Sequence, residues 1–396
     1  GPLVPRLPEV LRTPSGTVEL AHPVLMAEMP KLAAALATAT VDANSDALVL
    51  VDVQRASAVL LVLGFALGVA FLKTEFSFTA SWRRFIVKGQ PDGLLGGLLL
   101  IAVAALAIVP VTALMPQSFG GAIAPIGPSL IVGAFVFGIG MQLANGCGSG
   151  TLYTMGGGSG RMIVTLAFFI IGSVIGSLHL PWFLALGGID PVLAKDYFGA
   201  WGGLSVTLAS LAAMAWIAIA VARRRGAAVT LPRNILIGAI VIGLLCIAVF
   251  IAGGHPWSVT FGFTLWGAKI ASALGFNIAT AEFWQWPGPK YALGNSVLSD
   301  TSSLVDFGMI FGATAAAAAK HKFARTAWPP LMSLLAAAVG GLLMGWGARL
   351  GFGCNIGAFI GGVSSGSLHG WIWFAAALAG CTIGIRMRPL FGLSRE

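Results

Sequence analysis

Nine times between residues 56 and 386 the sequence enters a run of about twenty predominantly apolar residues, at approximately 56–72, 93–115, 129–144, 161–180, 204–222, 233–252, 303–319, 330–349 and 370–386. A helix of that length crosses the hydrocarbon core of a bilayer. Within lipid every backbone N–H and C=O must be satisfied by the chain itself, so repeated runs of this kind leave few folds besides a bundle of helices. Composition agrees. Only 9% of the residues are charged, against roughly 25% in soluble domains, too few to cover a water-facing surface. The expectation is an all-α polytopic membrane protein with nine transmembrane helices and the lipid bilayer as its solvent.

The formal net charge of +9 does not mark a nucleic-acid binder, because the basic residues lie between the apolar runs. Lys73, Arg83, Arg84, Lys88, Arg161, Arg223, Arg224, Arg225, Arg233, Lys320, Lys322, Arg325, Arg386, Arg388 and Arg395 all follow odd-numbered runs, fifteen of the twenty-three Lys and Arg. The positive-inside rule then places those loops and the C-terminal end (391–396) in the cytoplasm and the N-terminus outside. Residues 1–55, which open on what reads as a protease scar at Gly1-Pro2, form an extramembrane tail with helical character near Lys31 to Thr38. The transmembrane domain covers 56–390.

That domain repeats itself. Gly138, Gly140, Gly146, Cys147 and Gly150 match Gly345, Gly347, Gly353, Cys354 and Gly357 at one constant offset. A second echo pairs Phe76-Ser77-Phe78-Thr79 with Phe261-Gly262-Phe263-Thr264, each soon followed by a tryptophan, Trp82 or Trp266. Both echoes keep their order, which divides the domain into four-span units of about 56–180 and 233–386 joined by a linking span at about 204–222. One intervening crossing inverts the second unit relative to the first, an architecture common among transporters. The two FxFT-like segments and the two cysteine loops are too short to span and too apolar to float free. Non-helical backbone is tolerated at membrane depth only where protein buries it or it lines a cavity. The pattern therefore predicts re-entrant hairpins with short helices, at Thr151 to Met155 and Ala358 to Val363, forming an hourglass pinched at the cysteines.

Glycines beside Cys147 and Cys354, among them Gly146, Gly148 and Gly353, let backbone N–H groups approach a ligand, and the starts of short helices favour an anion. A protonated thiol is a soft donor suited to a sulfur-bearing anion, whereas a thiolate would repel one. Gly172, Gly176, Gly380 and Gly384 read instead as packing positions between helices, and Cys246 and Cys381 as small buried hydrophobes. Asn145 and Asn355 either orient loop backbone or touch the ligand. Lys269 either joins the path or snorkels to the outer surface, and Arg349 either attracts anions at the outer mouth or marks a span end. No phosphate-binding loop, zinc spacing or hydrolase triad is legible, so neither enzymatic chemistry nor a cofactor or metal is expected.

The segments Gly-Ile-Gly-Met-Gln-Leu-Ala-Asn-Gly-Cys-Gly-Ser-Gly-Thr-Leu-Tyr (138–153) and Gly-Ala-Arg-Leu-Gly-Phe-Gly-Cys-Asn-Ile-Gly-Ala-Phe (347–359) resemble the two cysteine signatures of the YeeE/YedE family. Trp266-Gly267-Ala268-Lys269 and Ser-Gly-Ser-Leu-His-Gly (365–370) are similar as well. The resemblance implies an hourglass of nine spans in the bacterial inner membrane that imports thiosulfate or a related sulfur or selenium compound, with Cys147 and Cys354 touching the passing sulfur. Many members carry a further cysteine where this chain has Ser77, so the cytoplasmic end of the relay would fall to Ser77 or Thr79, with Thr264 of the second echo a candidate on the outer side. A cytoplasmic sulfur-carrier protein would suit the basic loops. The rival from another class is a membrane thiol-disulfide redox protein, against which stands the lack of a Cys-x-x-Cys pair.

Overall fold

Helices account for nearly all of the regular structure in the computed structural model, which describes residues 43–319 and 329–395. The tail reading for residues 1–42 and the charges at Lys320, His321, Lys322 and Arg325 lie outside the described residues. Among those described, nine helical segments are long and apolar enough to cross a membrane. The α-helices, in chain order, are α1 (Ala43–Thr74), α2 (Phe78–Lys88), α3 (Asp92–Leu114), α4 (Pro128–Ala144), α5 (Gly148–Gly156), α6 (Gly160–Ala185), α7 (Ala194–Arg224), α8 (Arg233–Gly253), α9 (Val259–Ala273), α10 (Pro287–Gly294), α11 (Thr301–Ala319), α12 (Leu331–Leu350), α13 (Gly361–Ser364) and α14 (Leu368–Met387). A π-helical turn, Asn355–Ile360, joins α12 to α13.

Hydropathy makes the helices, but it does not hold them together, because lipid is as apolar as leucine. Association inside a bilayer comes from close packing, which small residues permit. A Cβ at Gly138 on α4 would lie 2.1 Å from the Ala377 carbonyl oxygen of α14, and one at Gly345 on α12 would lie 2.1 Å from the Phe169 carbonyl oxygen of α6. Between α4 and α12 themselves, a Cβ at Gly140 would lie 2.6 Å from the Gly340 carbonyl oxygen and one at Gly347 2.6 Å from the Gly133 carbonyl oxygen. Gly172 and Gly380 abut the Leu342 and Phe135 carbonyls in the same way, while Gly176 meets Arg349 and Trp346 and Gly384 meets Ile139.

These contacts come in exchanged pairs. The third span of each unit packs on the fourth span of the other, α4 on α14 and α12 on α6. The first span of each packs on the second of the other, α1 on α11 through Gly64, Gly68, Gly308 and Gly312, and α8 on α3 through Gly243. The short helices behave alike: Trp82 of α2 packs on Phe374 of α14, and Phe263 of α9 packs on Phe169 of α6. The core is continuous across the units, with Trp82, Phe137, Phe169, Phe263 and Trp373 almost wholly buried.

Candidate functional site

Four short helical elements start inside this core, and each start is set by one capping residue in extended conformation: Ser77 for α2, Cys147 for α5, Ser258 for α9 and Cys354 for the π-turn. Local chemistry explains the breaks. Helix α4 ends at Asn145 in the left-handed region (φ 62°), a conformation asparagine tolerates better than most residues. After α12, Phe352 has φ 59° and Gly353 φ 150°. At that second angle only glycine sits without strain. The helices begin directly at the cysteines, earlier than Thr151 and Ala358, because a capping residue lets the next N–H groups enter a helix at once. Cys147 does this with sulfur. Its Sγ accepts from the Gly150 N–H at 3.3 Å and lies 3.5 Å from Ser149 Oγ.

The two cysteine loops meet. Cys354 Sγ lies 3.0 Å from where a Cβ on Gly148 would stand, and Val259 closes the same spot at 3.6 Å. Ser258 Oγ lies 3.0 Å from the equivalent point on Gly357. Cys354 is 0% exposed and Cys147 2%. The start of α2 joins them through Tyr153 of α5, whose hydroxyl donates to the Phe76 carbonyl at 3.2 Å and reaches Ser77. Phe352, just before Gly353, lines a cavity of about 160 Å³ with Ser129, Phe183 and Asp190.

Several polar atoms in this region are buried and unsatisfied. Both side-chain atoms of Asn355 lack a partner, as does Thr79 Oγ1. Most buried polar groups in folded proteins are hydrogen-bonded, and exceptions call for an explanation. An amide buried this way costs about 1–3 kcal/mol. Asn355→Leu is therefore expected to raise thermal stability by about that amount while lowering transport. Thermal unfolding of the purified variant checks it, and a clear loss of stability would mean that the amide holds the fold.

The other sequence candidates sit elsewhere. Asn145 belongs to a scaffold: its Oδ1 accepts from Arg83 Nη1 at 2.7 Å and Arg388 Nη1 at 3.4 Å. Arg388 also donates to the Gln142 carbonyl at 2.6 Å and Arg161 to the Leu143 carbonyl at 2.7 Å. Two guanidinium groups, Arg388 and Arg161, thus satisfy free carbonyls at the end of α4, where the helix dipole is negative, and Arg83 joins them through the Asn145 side chain. Lys269 donates to the Leu293 and Asn295 carbonyls at 2.9 and 2.6 Å. Arg349 lies over the Phe283 ring at 5.0 Å. Gly146 packs under Met162, whose sulfur lies 3.2 Å from where a Cβ would stand.

The second sequence echo is displaced by one turn. Helix register equates Ser77 and Thr79 with Ser258 and Thr260, and Thr264 lies a turn further on, donating to the Thr260 carbonyl at 2.9 Å. Ser258 was missed for that reason, although the shared pattern Ser-x-Thr at 77–79 and 258–260 marks both starts. Asp306 was missed too. It lies on α11, fully buried, with neither oxygen partnered.

A bundle of apolar spans that buries thiols and unpartnered polar groups in its core defines a polytopic membrane protein with a membrane-embedded site, and comparison with known proteins gives its family. The chain belongs to the Sulphur transport family, whose model matches residues 73–383. It is 32% identical over 154 residues to the probable transporter YedE of Escherichia coli, 38% of this chain and 37% of that protein. It is 30% identical over 264 residues to the thiosulfate transporter TsuA of Spirochaeta thermophila, 61% of this chain and 72% of that one. It is 24% identical over 349 residues to TsuA of Escherichia coli, 81% and 91% of the respective chains.

Proposed function

We propose that the chain imports thiosulfate, or a closely related sulfur-containing anion, across the bacterial inner membrane. The observation that carries this reading is the meeting of the cysteine loops, with Cys354 Sγ pressed against Gly148 at the start of the helix that Cys147 caps. In this reading the units are inverted repeats, the four short helices are re-entrant, and the N-terminus lies outside. The exchanged contacts of α4 with α14 and α12 with α6 support it, since a two-fold relation between the halves produces such pairs.

The anion enters from the side of the Phe352 cavity and meets Cys354, whose S–H donates to the terminal sulfur. The Asn355 amide donates to its oxygens, answering the unpartnered Nδ2. Cys147 takes the sulfur next, and Ser77 and Thr79 hand the anion toward the arginines at the end of α4. Each contact is weak, as passage requires, because a ligand held tightly does not leave. A sulfur-carrier protein at the basic cytoplasmic face would receive it.

The test is uptake of labelled thiosulfate by a host lacking its own uptake systems, with sulfite, sulfate and selenite as competitors. Thiosulfate uptake with weak competition by sulfate supports the reading, and indifference to every sulfur anion overturns it. Ser77→Cys gives a second check, since Cys147 shows that sulfur can cap such a helix. A third soft donor is expected to raise uptake severalfold at limiting thiosulfate. No change would remove Ser77 from the path.

A further inference from the structure

Asp306 has no place in the path just described. It is 0% exposed on α11, and neither carboxyl oxygen has a hydrogen-bond partner. A Cβ at Gly262 of α9 would lie 2.8 Å from Asp306 Oδ2 and 3.5 Å from Ser303 Oγ, so both side chains abut the same bare stretch of α9 backbone. The groups facing Asp306 are Asp300 from the start of its own helix, Cys354 beside the π-turn, and the Trp257 indole before α9, itself buried and unpartnered. Helices α1 and α5 cover the other flank through Gly64, Gly68 and Gly156. Among the described residues no cation faces Asp306. A carboxylate there would be desolvated, helped only by the nearby Trp257 indole and opposed by a second carboxylate. The neutral acid avoids those penalties, and a dianion at Cys354 would make ionisation harder still.

We propose that Asp306 carries a proton with each anion, so that the chain is a proton-coupled symporter whose proton enters by way of Asp300. This rests on the permease reading above. A cavity of about 280 Å³ opens at Asp300, lined also by Phe261, Ser299 and Thr301. Asp300 Oδ2 accepts from Ser303 Oγ at 2.7 Å and from the Ser303 N–H at 2.8 Å. Burial raises the Asp300 carboxyl above the usual carboxylate range, partly offset by those two bonds and by the nearby His255, so it takes a proton more readily than an exposed aspartate. Asp300 immediately precedes α11, and Ser303 and Asp306 follow it at i+3 and i+6 in one row. Along it a proton leaves cavity water for Asp300, then passes to Asp306, and the Asp300 carboxylate is restored. When the anion leaves inward, the Asp306 O–H breaks and its proton goes to entering water. One proton crosses per anion. Coupling follows from linkage: the acid binds an anion better than the carboxylate does, and the bound anion holds the proton by the same factor.

The experiment uses the purified full chain in proteoliposomes, with the membrane potential clamped at zero and an outside medium one pH unit more acid than the lumen. One proton per anion drives about tenfold accumulation of labelled thiosulfate under that gradient, since tenfold corresponds to 1.4 kcal/mol. A pH dye in the lumen reports acidification on adding thiosulfate. Asp306→Asn, a permanent mimic of the neutral acid, is expected to exchange labelled for unlabelled thiosulfate without accumulation or acidification. Asp300→Asn is expected to slow acidification without changing the final ratio, and serves if Asp306→Asn does not fold. Wild-type equilibration with no acidification, or wild-type accumulation by Asp306→Asn, overturns the coupling and leaves the permease reading intact. Acidification by Asp300→Asn at the wild-type rate overturns the entry route. A wild-type chain that passes no thiosulfate at all overturns the permease reading, and the coupling with it.

Discussion

Replacing Cys354 by alanine is expected to lower thiosulfate uptake by roughly ten- to a hundredfold, because a hydrogen bond to a charged group contributes about 1.5–3 kcal/mol and each 1.4 kcal/mol is tenfold. The loss should appear at both ends of the path, but the informative substitutions differ. Cys354 caps no helix through its side chain, so Cys354→Ala removes the donor and little else. Cys147 accepts from the Gly150 N–H, and alanine there would also cost about 1 kcal/mol of capping. Cys147→Ser keeps a cap and a donor while replacing the soft atom with a hard one. An intermediate rate, above Cys354→Ala and below wild type, is expected for it. Cys246→Ala is the control: Cys246 lies buried in α8 within the apolar core, and its loss should leave uptake alone. Wild-type uptake by both Cys354→Ala and Cys147→Ser would exclude thiols from transport.

Much of this arrangement could be read from residue order, and the rest could not for reasons that are physical. The spans are legible because the bilayer imposes one length and one polarity on each. The cysteine loops are legible because glycine, thiol and offset recur together. Lys269 drew attention as a rare cation, yet the carbonyls that hold it, at Leu293 and Asn295, belong to a distant segment with no periodic mark. The second echo pairs Thr79 with Thr264, one turn beyond its register counterpart Thr260, since matching phenylalanines carry the echo while the register is set by the cap at Ser258. Asp306 is a single carboxyl in an apolar run. Only the tertiary packing of α9 against α11 reveals that nothing pairs with it.

Gly138→Ala and Gly345→Ala should both destabilise the protein severely, and to a similar degree. A methyl at either place would stand 2.1 Å from a carbonyl oxygen of the helix opposite, Ala377 on α14 or Phe169 on α6. Neither oxygen can turn away, since each belongs to a helical backbone, so the helices must part by an ångström or more. Overpacking of this kind costs about 1–3 kcal/mol and more where backbone must move, enough to take a protein of ordinary marginal stability most of the way to unfolding. Gly288→Ala, with nothing within 4 Å of the new methyl, should be harmless. The measurement is the yield of monodisperse protein and its thermal unfolding in detergent. Equal losses at Gly138 and Gly345 are what a two-fold relation between the halves demands, because the two contacts are counterparts. A severe effect at one position and none at the other would mean that the halves share a motif without sharing a structural role, and the inverted-repeat reading would fall with that result.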